Sequence, residues 1–179
     1  MYVVADNLML SEANLHHTEE AVEHLEFLVV QDIFLTETAK HAHVVLPGAS
    51  FMEKDGTFTN TERLVQRIRK ALEPIGDSRP DWQILCEIFQ AMGVPADYQS
   101  PEEIMEEMRQ VIPIYGGITY ERIEKKGLQW PCPTLDHPGT GYLHKDGNFT
   151  RGRGKLTVNQ FEASTQKRSE EYPFILTTG

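Results

Sequence analysis

Three side chains in one short stretch, Gln31, Asp32 and Thr36, have the types and spacing to hold a nucleotide-like ligand. A carboxylate such as Asp32 can accept two hydrogen bonds, from the amidine edge of a guanine or from the hydroxyls of a ribose, and the amide of Gln31 offers both a donor and an acceptor. Thr36, with the helix start that follows it, suits a phosphate or a polar ring edge. An acidic strand end serves equally well as a simple helix cap, so both readings stand at this point. Asp6 and Asn7 follow an earlier apolar run in a comparable place. Nothing resembles a nucleophile with its base: there is no Gly-x-Ser-x-Gly, no Walker loop, no Gly-x-Gly-x-x-Gly and no Cys/His group at metal spacing. The candidate residues are therefore binding residues, with none assigned to catalysis or to a metal. His16, His17, His24, His41 and His43 flank acidic positions and read as solvated residues, and Cys86 and Cys132 read as free structural thiols.

The elements that must position these side chains follow from the apolar runs around them. Phe27 to Val30 is a continuous apolar run suited to a strand covered on both faces, and Val44 to Leu46 is a second, closed by Pro47. Between them Thr36-Glu37-Thr38-Ala39-Lys40 supplies a hydroxyl at a helix start and an acid in the first turn. Tyr2-Val3-Val4 reads as a first strand, and Asn14 to Glu26 as a helix with Leu15, Ala21, Val22 and Leu25 apolar. Strand, helix, strand, helix, strand is the order of an α/β fold with a doubly wound, mainly parallel sheet. Gln31 and Asp32 then lie at the carboxyl end of a buried strand, where such sheets bind ligands.

Beyond Pro47 the chain turns polar. Residues 48–63 read as one long loop, functional or merely an extended surface connection, with Asp55-Gly56 as a turn signal. Arg63, Arg67, Arg69 and Lys70 form a basic cluster that could meet a phosphate, a carboxylate partner or a second subunit, or simply be solvated. Asp81 to Met92 reads as an amphipathic helix with Asp81 as its N-cap and Trp82, Leu85, Ile88 and Phe89 as a core stripe. Ser100-Pro101-Glu102-Glu103 opens a helix to about Val111, and Tyr120 to Lys126 a further helical turn or two. From Gly127 prolines and glycines multiply, giving an extended segment over 127–172 and a strand beginning at Pro173. A formal net charge of −10 argues against nucleic acid and anionic membranes as partners. With no membrane-length apolar run and no signal peptide at Met1, the expected location is the cytoplasm.

Gln31 to Lys40 followed by Val44-Val45-Leu46-Pro47 resembles the third domain of the large subunit of molybdopterin oxidoreductases. Glu53 to Arg63 with Val65-Gln66-Arg67, and Arg79-Pro80-Asp81-Trp82, are similar to the same family. Gly127 to Pro133, His137-Pro138-Gly139-Thr140 and Phe149 to Gly154 resemble its formate dehydrogenase branch, and the likeness runs over nearly the whole chain. The resemblance implies a Rossmann-like domain over 1–126, as in formate dehydrogenase and DMSO reductase, an inter-domain segment over 127–172, and over 173–179 the first strand of a β-rich cap. It implies part of a catalytic subunit that oxidises formate to carbon dioxide with molybdenum or tungsten held by two molybdopterin guanine dinucleotides. It also implies a 4Fe-4S cluster whose ligands lie outside this chain. Partners would be the rest of the subunit and iron–sulfur or electron-transfer subunits.

On the same resemblance Gln31, Asp32, Thr36, Asp6, Asn7, Thr178 and Gly179 fall at cofactor-binding positions, with Asp32 at the guanosine end. Ala5 stands where the family usually has glycine and Leu8 where it usually has proline. Such a fragment alone is expected to be inactive. Alternatives are a portion of a nitrate reductase or of the NADH-quinone oxidoreductase large subunit, or a non-enzymatic interaction module docking through its acidic helices.

Overall fold

The computed structural model describes residues 1–149, 151–161, 163 and 167–176. The chain divides into two compact units, Met1–Gly141 and Tyr142–Gly179. The first unit opens with a parallel sheet of β1 (Tyr2–Val4), β2 (Val29–Asp32) and β3 (Val44–Pro47) in that order, with Val4, Gln31 and Leu46 in register across it. Helices α1 (Leu8–Ser11) and α2 (Leu15–Glu23) connect β1 to β2, and α3 (Glu37–Lys40) connects β2 to β3. The α/β character is as expected. The strand order runs one way, so the reversal that defines a doubly wound sheet is absent among the described residues.

Val3, Val22, Leu28, Val30 and Ala39 form the core beneath this sheet, with Leu8, Met9, Leu25 and Ala42 packed around them. The apolar run at 27–30 misplaces β2 by two residues. Phe27 is exposed, and the buried Leu28 gives its N–H to the His43 ring (3.1 Å) rather than to a neighbouring strand. Burial set the apolar run, whereas ladder pairing sets the strand, and the pairing continues through Gln31 and Asp32. Helix α2 stops at Glu23 rather than Glu26, and Leu15, expected on its apolar face, is exposed. β3 is an outer strand, with Val44 and Val45 each about 40% exposed, so of the two apolar runs only β2 is covered as predicted.

The second half of the unit is built on an antiparallel sheet of β4 (Gly56–Thr59), β5 (Leu64–Ile68) and β6 (Leu128–Gln129). The expected long loop is therefore a hairpin, and its turn is at Asn60–Arg63 rather than Asp55-Gly56. The Asn60 carboxamide oxygen accepts the N–H groups of Glu62 and Leu64, both at 3.0 Å, while Arg63 takes a left-handed φ of 66°. Thr57, Phe58 and Thr59 favour a strand, and Gly56 begins it instead of turning the chain.

Val65, Met105, Ile118, Tyr120, Ile123 and Cys132 make the second core. Around them lie α4 (Asp81–Ala91) and α5 (Pro101–Val111). Asp81 is the first residue of α4, preceded by Pro80, and does not cap it. Within α4 the wholly buried residue is Ile84, while Phe89 of the predicted stripe is exposed. α5 matches expectation: the Ser100 hydroxyl accepts the Glu103 N–H (3.2 Å), and the Glu103 carboxylate accepts the Gln99 N–H (2.7 Å). Ser100→Ala is expected to cost about 1 kcal/mol of stability, read as a lower midpoint in urea unfolding.

Tyr120–Lys126 is a succession of turns, not a helix. The first unit also runs past the composition shift at Gly127, because Leu128 pairs with Val65 and Cys132 is wholly buried. In the second unit His144 stacks on Phe149, with ring centroids 4.6 Å apart, and Phe149 bridges Gly152. Pro173–Leu176 forms no strand, and the remainder of the strand expected there, with Thr178 and Gly179, lies outside the described residues.

Candidate binding crevice at the strand ends

The carboxyl ends of β1, β2 and β3 converge as the sequence implies. The Ala5 N–H donates to the Gln31 carbonyl (2.8 Å) and the Gly48 N–H to the Asp32 carbonyl (3.0 Å), so the loops after all three strands hang on one dipeptide. Ala5 has a left-handed φ of 52°, which accounts for a glycine preference at that place. Leu8 is the first residue of α1, a position that favours proline. At Gly48 a Cβ would stand 3.1 Å from the Asp81 carboxylate, so the strand end and the first turn of α4 are in close contact there.

The five predicted residues that the structure describes divide into two groups. Gln31 is wholly buried and both ends of its amide are used: its oxygen accepts the Tyr2 hydroxyl, and its nitrogen donates to Asp81 Oδ1 (2.7 Å). Asn7 is also committed, accepting from the Thr38 N–H (3.2 Å) and hydroxyl (2.9 Å) and donating to Glu37 Oε2 (2.8 Å). That amide donor holds the Glu37 carboxyl below its usual range. Glu37 therefore contributes to stability above the unfolded carboxyl pKa, and the contribution disappears as pH falls through the lowered folded value. The amides of Gln31 and Asn7 are thus engaged by contacts within the chain.

Asp32, Asp6 and Thr36 form the second group. Asp32 Oδ1 accepts the Phe34 N–H (3.0 Å) in a local turn, and Asp6, exposed, accepts the Ser11 hydroxyl (3.1 Å). Thr36 caps α3 by accepting the Ala39 N–H (3.1 Å). Helix α3 has only four residues and Glu37 in its first turn, so this end does not suit a phosphate. Beyond Asp32, Ile33, Phe34 and Leu35 project into solvent, Phe34 being 72% exposed. With Asp6, Asp32 and Glu37 among its charges, and Lys40 3.9 Å from Glu37, the crevice has the chemistry to accept N–H and O–H donors.

Asp81 and Lys54 were not singled out for this site by sequence reasoning. The second oxygen of Asp81 bonds the Lys54 ammonium, a contact between half-buried groups. Burial, reinforced by the nearby Asp81 charge, raises the pKa of the Tyr2 hydroxyl at the other end of the chain of bonds. Lys54 and Asp81 also line an apolar cavity of about 340 Å³ between the β4–β5 hairpin and α5, with Phe58, Ile68, Trp82 and Met105.

The basic cluster is consumed internally. Arg63 donates to the carbonyls of Trp130 and Thr140 (2.9 Å for Thr140), and Arg67 lies 3.9 Å over the Tyr120 ring. Arg69 pairs with Glu124 (2.6 Å) and Lys70 with Glu73 (2.5 Å). Among the described residues no group of three or more His, Cys, Asp or Glu could hold a metal ion, and no helix is long and apolar enough to cross a membrane.

A family model described as molybdopterin oxidoreductase matches residues 1–91, the stretch that contains the parallel sheet, the crevice and Asp81. The chain belongs to the molybdopterin oxidoreductase family. Among curated relatives of this molybdopterin oxidoreductase segment, the F420-dependent formate dehydrogenase 2 subunit alpha of Methanococcus maripaludis is 50% identical over the whole chain. The F420-dependent formate dehydrogenase subunit alpha of Methanocaldococcus jannaschii is 48% identical, again over the whole chain. The chain spans 27% of the length of each of these relatives. Among solved structures, acetylene hydratase from Pelobacter acetylenicus superposes with a TM-score of 0.58 at 21% identity, covering 70% of this chain and 17% of that one. That likeness concerns the fold alone.

Proposed function

We propose that this chain forms part of the cofactor-binding region of a formate dehydrogenase catalytic subunit and holds the guanosine end of one molybdopterin guanine dinucleotide. The supporting observation is Asp32: a carboxylate at the end of a well-buried parallel strand, one oxygen fixed by its own loop, with the exposed carboxylate of Asp6 on the neighbouring loop. A guanine offers two N–H donors on one edge, which a carboxylate accepts in parallel. These acceptors fit that edge or a ribose diol; the diphosphate and pterin ends belong against residues elsewhere in the subunit.

When bound, the cofactor would supply the molybdenum or tungsten, with its thiolates, at which formate gives up two electrons and a proton to become carbon dioxide. This chain's residues do separate work. Asp32 orients the base, Asn7 and Thr36 fix the loops to either side, and the apolar Ile33, Phe34 and Leu35 help to keep water from the bound face. The chain alone carries no catalytic group in this reading. The iron–sulfur cluster, the remaining subunit and the electron-transfer partners lie with the whole enzyme, placed in the cytoplasm. The Rossmann-like wrapping and the cap are then completed by the rest of that subunit.

The test is the metal and guanine nucleotide content of the natural polypeptide that carries this sequence, purified from its host and denatured. Molybdenum or tungsten with about two guanine nucleotides per metal is the expected result. Metal-free, nucleotide-free protein would sink the reading.

A further inference from the structure

We propose that Lys54 and Asp81 are positioning residues of the crevice, acting on the nucleotide through Gln31 without touching it; this rests on the guanosine reading above. Every loop of the crevice depends on the Gln31-Asp32 dipeptide, since Ala5 and Gly48 donate to its two carbonyls and Asp32 organises the loop through Phe34. Gln31 is wholly buried, and its side chain is held at two points only, the Tyr2 hydroxyl and Asp81 Oδ1. Asp81 is held in turn by Lys54, two residues before the β4–β5 hairpin begins at Gly56. The result is a continuous line of hydrogen bonds from that hairpin, through the first turn of α4, to the dipeptide on which the crevice hangs.

The direction of control follows from burial. Tyr2 and Gln31 are neutral, so their bond alone places the amide loosely. Asp81 and Lys54 are charged and only about a quarter to a third exposed, and charge-assisted bonds of this kind are the stronger ones. Without the ammonium, the Asp81 carboxylate loses its partner and turns to solvent, and the buried Gln31 nitrogen is left unsatisfied. Gln31 then shifts, carrying both carbonyls that anchor the loops. Gly48 lies against the same group, since a Cβ there would stand 3.1 Å from Asp81 Oδ1.

The experiment compares this chain with Lys54→Met and Lys54→Arg, using amide hydrogen exchange together with binding of GDP as the probe nucleotide by ligand-observed NMR. In Lys54→Met, exchange at Ala5 and Gly48 is expected to accelerate about tenfold with interior amides of α5 unchanged, and GDP binding to weaken in step. Lys54→Arg, which keeps a donor for Asp81, restores both. Equal acceleration in α5, or no change at Ala5 and Gly48, overturns the positioning role. So does GDP binding at the wild-type level in Lys54→Met, which would leave the guanosine reading standing. Failure of the unmodified chain to bind GDP at millimolar concentration instead overturns the guanosine reading for this chain.

Discussion

Replacing Arg122 with methionine is expected to lower the melting temperature of this chain by about 10 °C. The guanidinium donates to the carbonyls of Gly117 and Thr134 and to the Cys132 sulfur through one nitrogen, and to the His137 carbonyl (2.7 Å) through the other. The segments it ties are already pressed together: the Gly117 N–H donates to the Cys132 carbonyl (2.6 Å) and the Cys132 N–H to that of Ile114 (2.7 Å). Methionine fills much of the same volume but satisfies none of those carbonyls; Thr134 keeps the His137 N–H (3.1 Å) and His137 the Cys132 thiol (3.4 Å), so the cost falls on the Gly117 carbonyl, at roughly 1 to 3 kcal/mol, and on the lost tie between the segments. Lysine should recover less than half of the loss, since one ammonium cannot span carbonyls that a planar fork reaches on two sides. Thermal unfolding of the three proteins followed by circular dichroism measures this. An unchanged midpoint in Arg122→Met would show that water replaces the guanidinium at no cost.

Arg122 also marks where sequence reasoning stopped. Its role depends on carbonyls 5 to 15 residues away, and carbonyls have no residue type to betray them. The local reading of Tyr120–Lys126 as helix followed side-chain propensities, but the turns there are held by the segment at 132–137. The composition shift at Gly127 misled in the same way. Glycine and proline at 127–141 look like a linker, yet Gly117 and Gly127 are small because backbone passes against them: a Cβ on Gly117 would meet the Thr134 carbonyl at 1.9 Å, and one on Gly127 the Val65 carbonyl at 2.7 Å. Proximity across the chain, not flexibility, selected the residue.

What was legible had local causes. The hydroxyl caps at Thr36 and Ser100 follow from contacts within a few residues, and β1 and β3 coincide with short β-branched runs whose composition already favours strand. In the crevice, sequence placed Asp32 and Gln31 together but could not separate their roles. An amide and a carboxylate at a strand end look alike as ligand groups until the partner of Gln31, Asp81, is seen arriving from fifty residues away. The strand period separates them: successive side chains take opposite faces, both of them covered at Val30 and Gln31, and Asp32 ends the strand on the face of Val30.

That alternation gives the sharpest test of the site. Asp32→Asn is expected to weaken guanine nucleotide binding by about a hundredfold while leaving the melting temperature nearly unchanged. The asparagine carboxamide oxygen can still accept the Phe34 N–H at the place where Asp32 Oδ1 now does, so the loop keeps its turn. The other oxygen becomes an NH₂ group, which confronts the guanine edge donor to donor and removes the charge that strengthened both bonds. A xanthine base, which carries a carbonyl where guanine has its amino group, offers that NH₂ an acceptor. Asp32→Asn should therefore prefer XDP to GDP, the reverse of the unmodified chain, in competition dialysis. Asp32→Ala, lacking both the turn and the recognition, should bind neither and should also lose about 1 kcal/mol of stability. If Asp32→Asn and the unmodified chain rank the two nucleotides alike, Asp32 serves its loop alone and the guanosine is held by other residues.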